Sequence, residues 1–142
     1  TGITAAGAAA ITADELLDLV FELDDVYERN ATFLMRRSTV KMVRKLKGSD
    51  GQYIWSPGLD ARAPQTLLGY PVRRAPDMPA ATTGNKSVVF GDFRAGYLIV
   101  DRRGISMLRD PYSSKPYVEF YTTRRTGGGV IQPAAFKTLT QA

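Results

Sequence analysis

The chain has 142 residues, 44% of them hydrophobic, with a formal net charge of +5 and neither cysteine nor histidine. The missing residue types exclude disulfides, thiolate or imidazole zinc sites, cysteine nucleophiles and histidine-based catalysis, so an enzyme, which would have to use carboxylates or lysine, is the least favoured class. The length fits one ordinary domain or two small lobes, and no apolar run approaches the ~20 residues that span a bilayer, which predicts a soluble protein.

Opposite charges are segregated along the first third of the chain. Residues 14–28 hold seven of the 14 acids and no base, whereas residues 29–47 hold seven bases and no acid. This pattern predicts complementary patches that meet within one chain or between copies. The alternative is that both patches are solvated helix faces, and for any single charge that interpretation is the better one.

A helix is predicted to follow the first ten residues, which are small and resemble a weakly structured linker. Thr12 and Glu15 form the T-x-x-E pattern of a capping box, and Asn30 is a plausible end of the helix. One apolar stripe at helical spacing faces the core, formed by Leu16, Leu19, Val20, Leu23 and Tyr27. The acids that face away are Glu15, Asp18, Glu22 and Asp25. They lack the loop geometry of a calcium site, which favours solvation or a neighbouring subunit.

A short buried strand and a second helix are predicted next. The strand is Ala31–Met35, and the helix is capped by Ser38 or Thr39 and ended by Gly48. Its inward residues are Met42, Val43 and Leu46, and its outward residues are Lys41, Arg44, Lys45 and Lys47. A basic helix favours nucleic-acid binding, but the signal is weak because no aromatic residues alternate with the bases and no groove-reading motif is present.

The middle of the chain is predicted to be largely irregular. A turn at Ser49–Gly51 leads to a short apolar strand or arm at Gln52–Trp55 and then to an irregular segment at Ser56–Pro64. Leu67–Val72 is a brief or edge strand, because its glycine and proline limit pairing. Arg74–Lys86 is a loop.

Two later runs predict a long antiparallel pair of strands. Val88–Asp110 and Tyr117–Thr123 are rich in β-branched and aromatic residues, with a turn at Pro111–Pro116 between them. Gly104 marks a bend or bulge. The triplet Gly127–Gly129 lacks the Lys-Ser/Thr of a phosphate-binding loop, which favours a bend that allows close backbone approach.

Aspartates near these strands each have an arginine close by in the sequence. Ion pairs are therefore favoured over catalytic carboxylate dyads. The predicted pairs are Asp92 with Arg94, Asp101 with Arg102, and Asp110 with Arg109.

Eight short motifs, none specific alone, follow one another along the chain. They are KLKGSDGQYIW (Lys45–Trp55), TLLGYPV (Thr66–Val72), DMP (Asp77–Pro79), VVFGDF (Val88–Phe93), GYLIVDRRGI (Gly96–Ile105), LRDPY (Leu108–Tyr112), RRTGGGV (Arg124–Val130) and AFKTL (Ala135–Leu139). In this order they resemble the major capsid proteins of tailed bacteriophages. The ordered set spans nearly the whole chain, which is therefore similar to the Hong Kong 97-type capsid family.

The resemblance implies an α+β fold that corresponds to the C-terminal half of such a protein. Residues 1–92 would match the axial domain, a small mixed sheet flanked by two helices. Residues 93–142 would match strands that return to the peripheral domain as a long antiparallel pair. The N-terminal arm, the extended hairpin loop and the spine helix of the family have no counterpart here.

The resemblance also implies a structural role without catalytic residues, metals or cofactors. The full-length protein would assemble with its own copies, as hexamers and pentamers, into an icosahedral phage or prophage shell. The shell would enclose non-specifically bound double-stranded DNA, with no membrane or small-molecule substrate. The virion is the implied location, with assembly in the host cytoplasm. A basic nucleic-acid-binding module and an encapsulin-like nanocompartment shell are the alternatives.

Five residues are candidate contacts between subunits. They are Arg36, Arg37, Arg124, Arg125 and Asp110. Arginine suits such contacts because its guanidinium forms bidentate pairs with carboxylates of a neighbour. The alternative for each is a solvated surface residue.

Overall fold

The computed structural model describes residues 2–7, 10–48, 51–55 and 66–142. The chain forms two compact units, one comprising Thr1–Gly96 and Gln132–Ala142 and the other comprising Tyr97–Ile131. Most of the predicted turn at Ser49–Gly51 and the irregular segment at Ser56–Pro64 lie outside the described residues.

The elements follow one another in a mixed order of short helices and strands. The first unit contains β1 (Ile3–Thr4), α1 (Ala13–Phe21), α2 (Asp25–Glu28), β2 (Thr32–Met35), α3 (Arg37–Arg44), β3 (Thr66–Leu67), β4 (Tyr70–Arg74), β5 (Lys86–Gly91), α4 (Phe93–Gly96), a 3-10 turn (Pro133–Ala135) and β8 (Phe136–Thr140). The second unit contains β6 (Tyr97–Asp110) and β7 (Glu119–Val130).

The first unit is built on a six-stranded mixed sheet in the order β1-β8-β5-β2-β4-β3. The pairs β1/β8 and β2/β4 are parallel, and the remaining pairs are antiparallel. Phe33 of β2 and Phe90 of β5 are fully buried, with ring centroids 4.4 Å apart. Around them lies one core cluster that includes Leu16, Leu19, Met35, Val43, Val88 and Leu139.

Helix α1 has the predicted capping box. The Thr12 hydroxyl accepts the Glu15 N–H at 3.3 Å, and the Glu15 carboxylate accepts the Thr12 N–H at 2.9 Å. The prediction that Glu15 faces away is wrong, because its carboxylate also accepts the Ala6 N–H at 2.8 Å and only 8% of the residue is exposed.

The predicted end of this helix at Asn30 is also wrong. Helix α1 ends at Phe21, and α2 begins at Asp25. The last turn of α1 contains no base, and the acids there oppose the negative end of the helix dipole, whereas acids at Asp24 and Asp25 suit a new helix N-terminus. The break keeps Leu23 buried and leaves Val26 83% exposed.

Helix α3 begins and ends earlier than the sequence predicts. Its N-cap is Arg36 rather than Ser38 or Thr39, because β2 leads directly into the helix. It ends at Arg44 rather than Gly48, since the Lys45 N–H turns back to the Met42 carbonyl at 3.0 Å. The predicted inward residue Val43 is buried.

The structure differs from the predictions for two short segments, and in the second it excludes the strand but not the arm. The first residues are more than a linker, because Ile3 and Thr4 pair in parallel with β8 and Ala5 is 2% exposed. Gln52–Trp55 forms no strand, and Tyr53 makes only an isolated bridge with Lys47. In both cases the outcome depends on which other segment of the chain provides a pairing partner, and the local sequence does not identify that segment.

The long antiparallel pair is confirmed, although its limits differ. Strand β6 starts at Tyr97 because α4 interrupts the predicted run, and β7 continues from Glu119 to Val130. The predicted bend at Gly127–Gly129 is wrong, since these glycines pair with Leu98–Val100. The register is irregular between Arg103 and Ser106, where Gly104 was predicted to bend or bulge.

The compact units divide the chain differently from the predicted domains in one respect. Gln132–Ala142 belongs with the first unit, because β8 pairs with β5 and β1 in the six-stranded sheet. The assignment of residues 1–92 to an axial domain and 93–142 to a peripheral domain stays a prediction.

Candidate interface surfaces

The second unit is a two-stranded ribbon with unusually exposed apolar residues. All residues of β6 are exposed except Asp110, which is half-buried. The large apolar residues that are at least 60% exposed in this ribbon are Ile99, Ile105, Met107, Leu108, Tyr112, Tyr117, Phe120 and Tyr121. An isolated two-stranded hairpin is marginally stable in water, and exposed apolar patches of this kind mark interaction sites. The ribbon (Tyr97–Ile131) is therefore a candidate interface.

An acidic surface lies on α1, α2 and the turn between them. We define it as the exposed residues Asp14, Asp18, Phe21, Glu22, Asp24, Asp25 and Val26. Phe21 is 82% exposed and Val26 is 83% exposed. Two large apolar side chains therefore lie among the carboxylates of this surface. A large apolar side chain in such a position is typical of a contact residue rather than of a solvated helix face.

A basic groove lies along α3 and beside the end of β4. It has a volume of about 530 Å³ and is lined by Arg37, Ser38, Val40, Lys41, Arg44, Lys45 and Arg74. The parallel pairing of β2 with β4 sets Met35 opposite Arg74 and so brings Arg74 to the start of α3. The Arg44 guanidinium lies 5.0 Å from the centre of the Trp55 ring, a cation–π distance that holds this side chain in place.

The acidic and basic segments do not pair with each other within one chain. No ion pair of the described residues joins an acid of 14–28 to a base of 29–47. Glu22 instead contacts Lys137 at 3.1 Å, and Glu28 accepts the Tyr70 hydroxyl. The two segments are therefore not paired with each other in the described part of the chain.

The five predicted contact residues fall into two groups. Arg36 and Arg37 are exposed at the start of α3 in the first unit, and Arg37 also lines the basic groove. Arg124 and Arg125 are exposed on β7, and Asp110 ends β6, all in the second unit. Their role between subunits stays a prediction.

The Asp101–Arg102 pair predicted from the sequence is wrong, because Asp101 pairs across the ribbon. Its carboxylate accepts the Thr126 hydroxyl and the Arg124 guanidinium, each at 2.6 Å. These two bonds, the Thr126 bond foremost, hold the pKa of Asp101 below its ordinary value. Adjacent residues on one strand point to opposite faces, which explains why the nearest arginine in the sequence is not the partner.

The other two predicted aspartate–arginine side-chain pairs are wrong as well. Asp110 accepts the Ser113 hydroxyl and the Tyr112 N–H, and these bonds lower the pKa of Asp110. Asp92 accepts the backbone N–H groups of Arg94 and Ala95 at 2.9 and 3.2 Å. Both aspartates therefore stabilise local turns of the backbone.

The described residues lack a cluster of metal-ligating side chains. They contain no group of three or more acidic side chains that could hold a metal ion. The hydrogen bond to Glu28, with burial and the Glu28 charge, raises the pKa of Tyr70, so this phenol stays protonated at neutral pH. No helix in the described part of the chain is both long and apolar enough to cross a membrane.

Two features of these surfaces are missed by sequence reasoning. Arg74 joins the basic groove through a strand pairing between distant segments, and no local pattern reveals it. Phe21 lies outside the apolar stripe of α1, and its off-stripe position is a signal that could have identified it as exposed.

Comparison with known proteins identifies the family. The model of the phage capsid family matches residues 1–141, and the chain belongs to that family. Its α+β architecture is that of Hong Kong 97-type capsid proteins. Its solved relatives are structural proteins of capsids. No curated protein matches the chain.

Solved capsids support this assignment over almost the entire chain. The capsid of an empty GTA particle is 41% identical, with a TM-score of 0.84 over 99% of this chain and 49% of its own. The capsid of a native GTA particle is 40% identical, with a TM-score of 0.85 over 99% and 48%. A chain from Gordonia phage Cozz shares only the fold, with 16% identity and a TM-score of 0.57 over 99% and 49%. The chain thus spans about half the length of these relatives.

Proposed function

We propose that this chain is part of a major capsid subunit whose copies assemble into an icosahedral phage or prophage shell. Hexamers and pentamers of the full-length protein would tile the shell, which encloses double-stranded DNA in the virion. Assembly takes place in the host cytoplasm. The protein needs no cofactor and catalyses no reaction.

The observation that carries the proposal is the likeness to capsid chains of GTA particles over 99% of this sequence. The exposed apolar ribbon supports it independently, because a monomer in water gains nothing from leaving such residues uncovered. A shell multiplies many modest contacts by its symmetry, so no single large pocket is required.

The five arginine and aspartate candidates belong to the same proposal. Arg36, Arg37 and Arg125 are exposed and suited to carboxylates of neighbouring copies. Arg124 already pairs with Asp101, and Asp110 already accepts bonds from its turn. These two contribute to an interface chiefly by fixing the shape of the ribbon.

A second candidate function is non-specific nucleic-acid binding, and the basic groove is the observation that favours it. Four of its five bases are exposed, namely Arg37, Lys41, Lys45 and Arg74. Contacts between such bases and phosphates would not depend on the nucleic-acid sequence and would be weakened by salt. Within a capsid subunit this property would serve DNA packaging. An encapsulin-like compartment is less favoured, since phage and GTA capsids account for the described likeness.

Light scattering of the purified full-length gene product tests the proposed function. We expect particles of shell size that contain many copies of the protein. A single small oligomer of fixed size under all conditions of salt and concentration would contradict it. Binding of DNA by such an oligomer would favour the nucleic-acid-binding alternative.

A further inference from the structure

We propose that the acidic surface of one copy docks into the basic groove of a second copy, with Phe21 as the apolar anchor. This inference rests on the proposed function, because it assigns one of the contacts by which subunits associate. The occupant of the groove is a second copy of this chain, and the contact is heterologous, since the two surfaces share no residue.

Charge complementarity is the first argument. The acidic surface offers five exposed carboxylates with no base among residues 14–28, and the groove is lined by five bases with no acid. Opposite patches of this kind steer association and fix its register. Within the described residues, acids of 14–28 and bases of 29–47 form no ion pair with each other, and of the acidic surface only Glu22 has an ion pair, with Lys137 of the same chain.

The apolar residues of the acidic surface are the second argument. Phe21 is 82% exposed at the end of α1, and Val26 is 83% exposed in α2. Binding energy concentrates where an aromatic side chain enters a pocket from which water is excluded. The groove offers the aliphatic stems of its lysines and arginines to such a ring, whereas Val40 in its lining is only 4% exposed. A phosphate backbone would match the bases but would leave Phe21 and Val26 without a partner.

The geometry of a heterologous contact is the third argument. A contact between two different surfaces repeats from copy to copy and generates a ring when the rotation closes. The capsids of two GTA particles that this chain resembles were computed with C5 symmetry, and a fivefold rotation is one that closes such a ring. The proposed contact is of the kind that ring formation requires.

Charge reversal in the full-length gene product tests the inference. The groove variant carries Lys41→Glu and Lys45→Glu, and the surface variant carries Asp18→Lys and Asp25→Lys; none of these four side chains has a hydrogen bond or ion pair in the described structure. Each variant should lower the yield of particles about tenfold, because like charges then face each other. The fourfold variant, in which both surfaces are reversed, should recover most of the yield.

Two controls separate this contact from a general effect of charge. The exposed pair Lys86→Glu and Arg94→Glu lies outside the ribbon and both proposed surfaces and changes the net charge as the groove variant does, and it should leave the yield within about twofold of the wild type. Combining the groove variant with Asp77→Lys, which restores two of the four lost charge units at an exposed site elsewhere, should not rescue assembly. Phe21→Ala should reduce the yield while leaving the thermal unfolding midpoint unchanged.

Each outcome decides between the alternatives. Wild-type yields from the groove and surface variants, or equal losses from the Lys86 and Arg94 control, would overturn the inference and leave the proposed function standing. Particles that form normally in the groove variant but retain less DNA would assign the groove to nucleic acid instead, and so would also overturn it. A wild-type protein that forms no particles would overturn the proposed function and this contact with it.

Discussion

Single side chains in this protein stabilise the backbone more than they form reactive sites. Glu15 is the clearest case, because one carboxylate accepts N–H groups from both Thr12 and Ala6. It thereby joins the start of α1 to the segment that follows β1. A charged group with only 8% exposure is retained because both of its oxygens are satisfied.

We predict that Glu15→Ala lowers the free energy of unfolding by about 2 kcal/mol, because two partly buried N–H groups lose their acceptor. Urea denaturation of the chain measures the change. The control is Asp18→Ala on the same helix, whose exposed side chain should alter stability by less than about 0.5 kcal/mol. Equal effects of the two substitutions would show that the hydrogen bonds of Glu15 to Thr12 and Ala6 contribute nothing beyond the effect of any acidic residue on this helix.

Asp101 gives a prediction on pH. Bonds from Thr126 and Arg124 favour its charged form, so its pKa in the folded ribbon lies below the ordinary 3.8. Stability from this group is complete above the ordinary value and is lost as the pH falls through the folded-state pKa. In an NMR titration, the midpoint of Asp101 should lie below 3.8 and should rise in Thr126→Val. A midpoint at or above 3.8 in the wild type would contradict the observed bonds.

At the scale of elements, local patterns predict some features well and long-range pairing poorly. The capping box at Thr12 and the long pair of strands around the Pro111–Pro116 turn depend on neighbouring residues, and both are confirmed. The partners of β1 and β4 depend on segments far away in the chain, as with Leu139 opposite Ile3. Parallel pairs without a fixed hairpin turn leave no local signal of this kind.

The candidate surfaces likewise have some features that the sequence predicts and others that it does not. The segregation of acids and bases is evident in the sequence, as is the exposure of Arg36 and Arg37. The groove itself depends on Arg74, which strand pairing delivers, and the exposure of Val26 depends on the helix break that follows Phe21. The first requires a pairing between distant segments, whereas the second requires the point at which one helix ends and the next begins.

The backbone at the end of β5 packs closely against the 3-10 turn, and a substitution at Gly91 tests how much this contact stabilises the protein. A Cβ atom at Gly91 would lie 2.0 Å from the Ala135 carbonyl oxygen, which also accepts the Asp92 N–H at 3.1 Å. Because backbone atoms must move to relieve this overlap, Gly91→Ala should destabilise the protein by at least about 2 kcal/mol.

The matched control is Gly127→Ala in β7, where a Cβ atom meets nothing within 4 Å. We expect its unfolding free energy to change by less than about 1 kcal/mol. Thermal unfolding followed by circular dichroism compares the two variants. If Gly91→Ala were as mild as Gly127→Ala, the close approach of β5 to Ala135 would not exist in solution.

At the scale of the whole molecule, a closed core coexists with surfaces that lack partners. The core residues Phe33, Phe90 and Leu139 are fully buried within the six-stranded sheet. The ribbon, in contrast, exposes apolar side chains along both strands. A protein that acts alone would gain by burying or replacing these residues, whereas a shell subunit covers them with neighbouring copies.

An electron cryomicroscopy reconstruction of particles of the full-length gene product tests the central claim most directly. The claim is that neighbouring copies cover the exposed apolar ribbon of each subunit. We predict a closed shell in which Ile105, Met107 and Phe120 are buried against adjacent subunits. A closed shell in which both faces of the ribbon remain open to solvent would contradict the account, as would the absence of any closed shell.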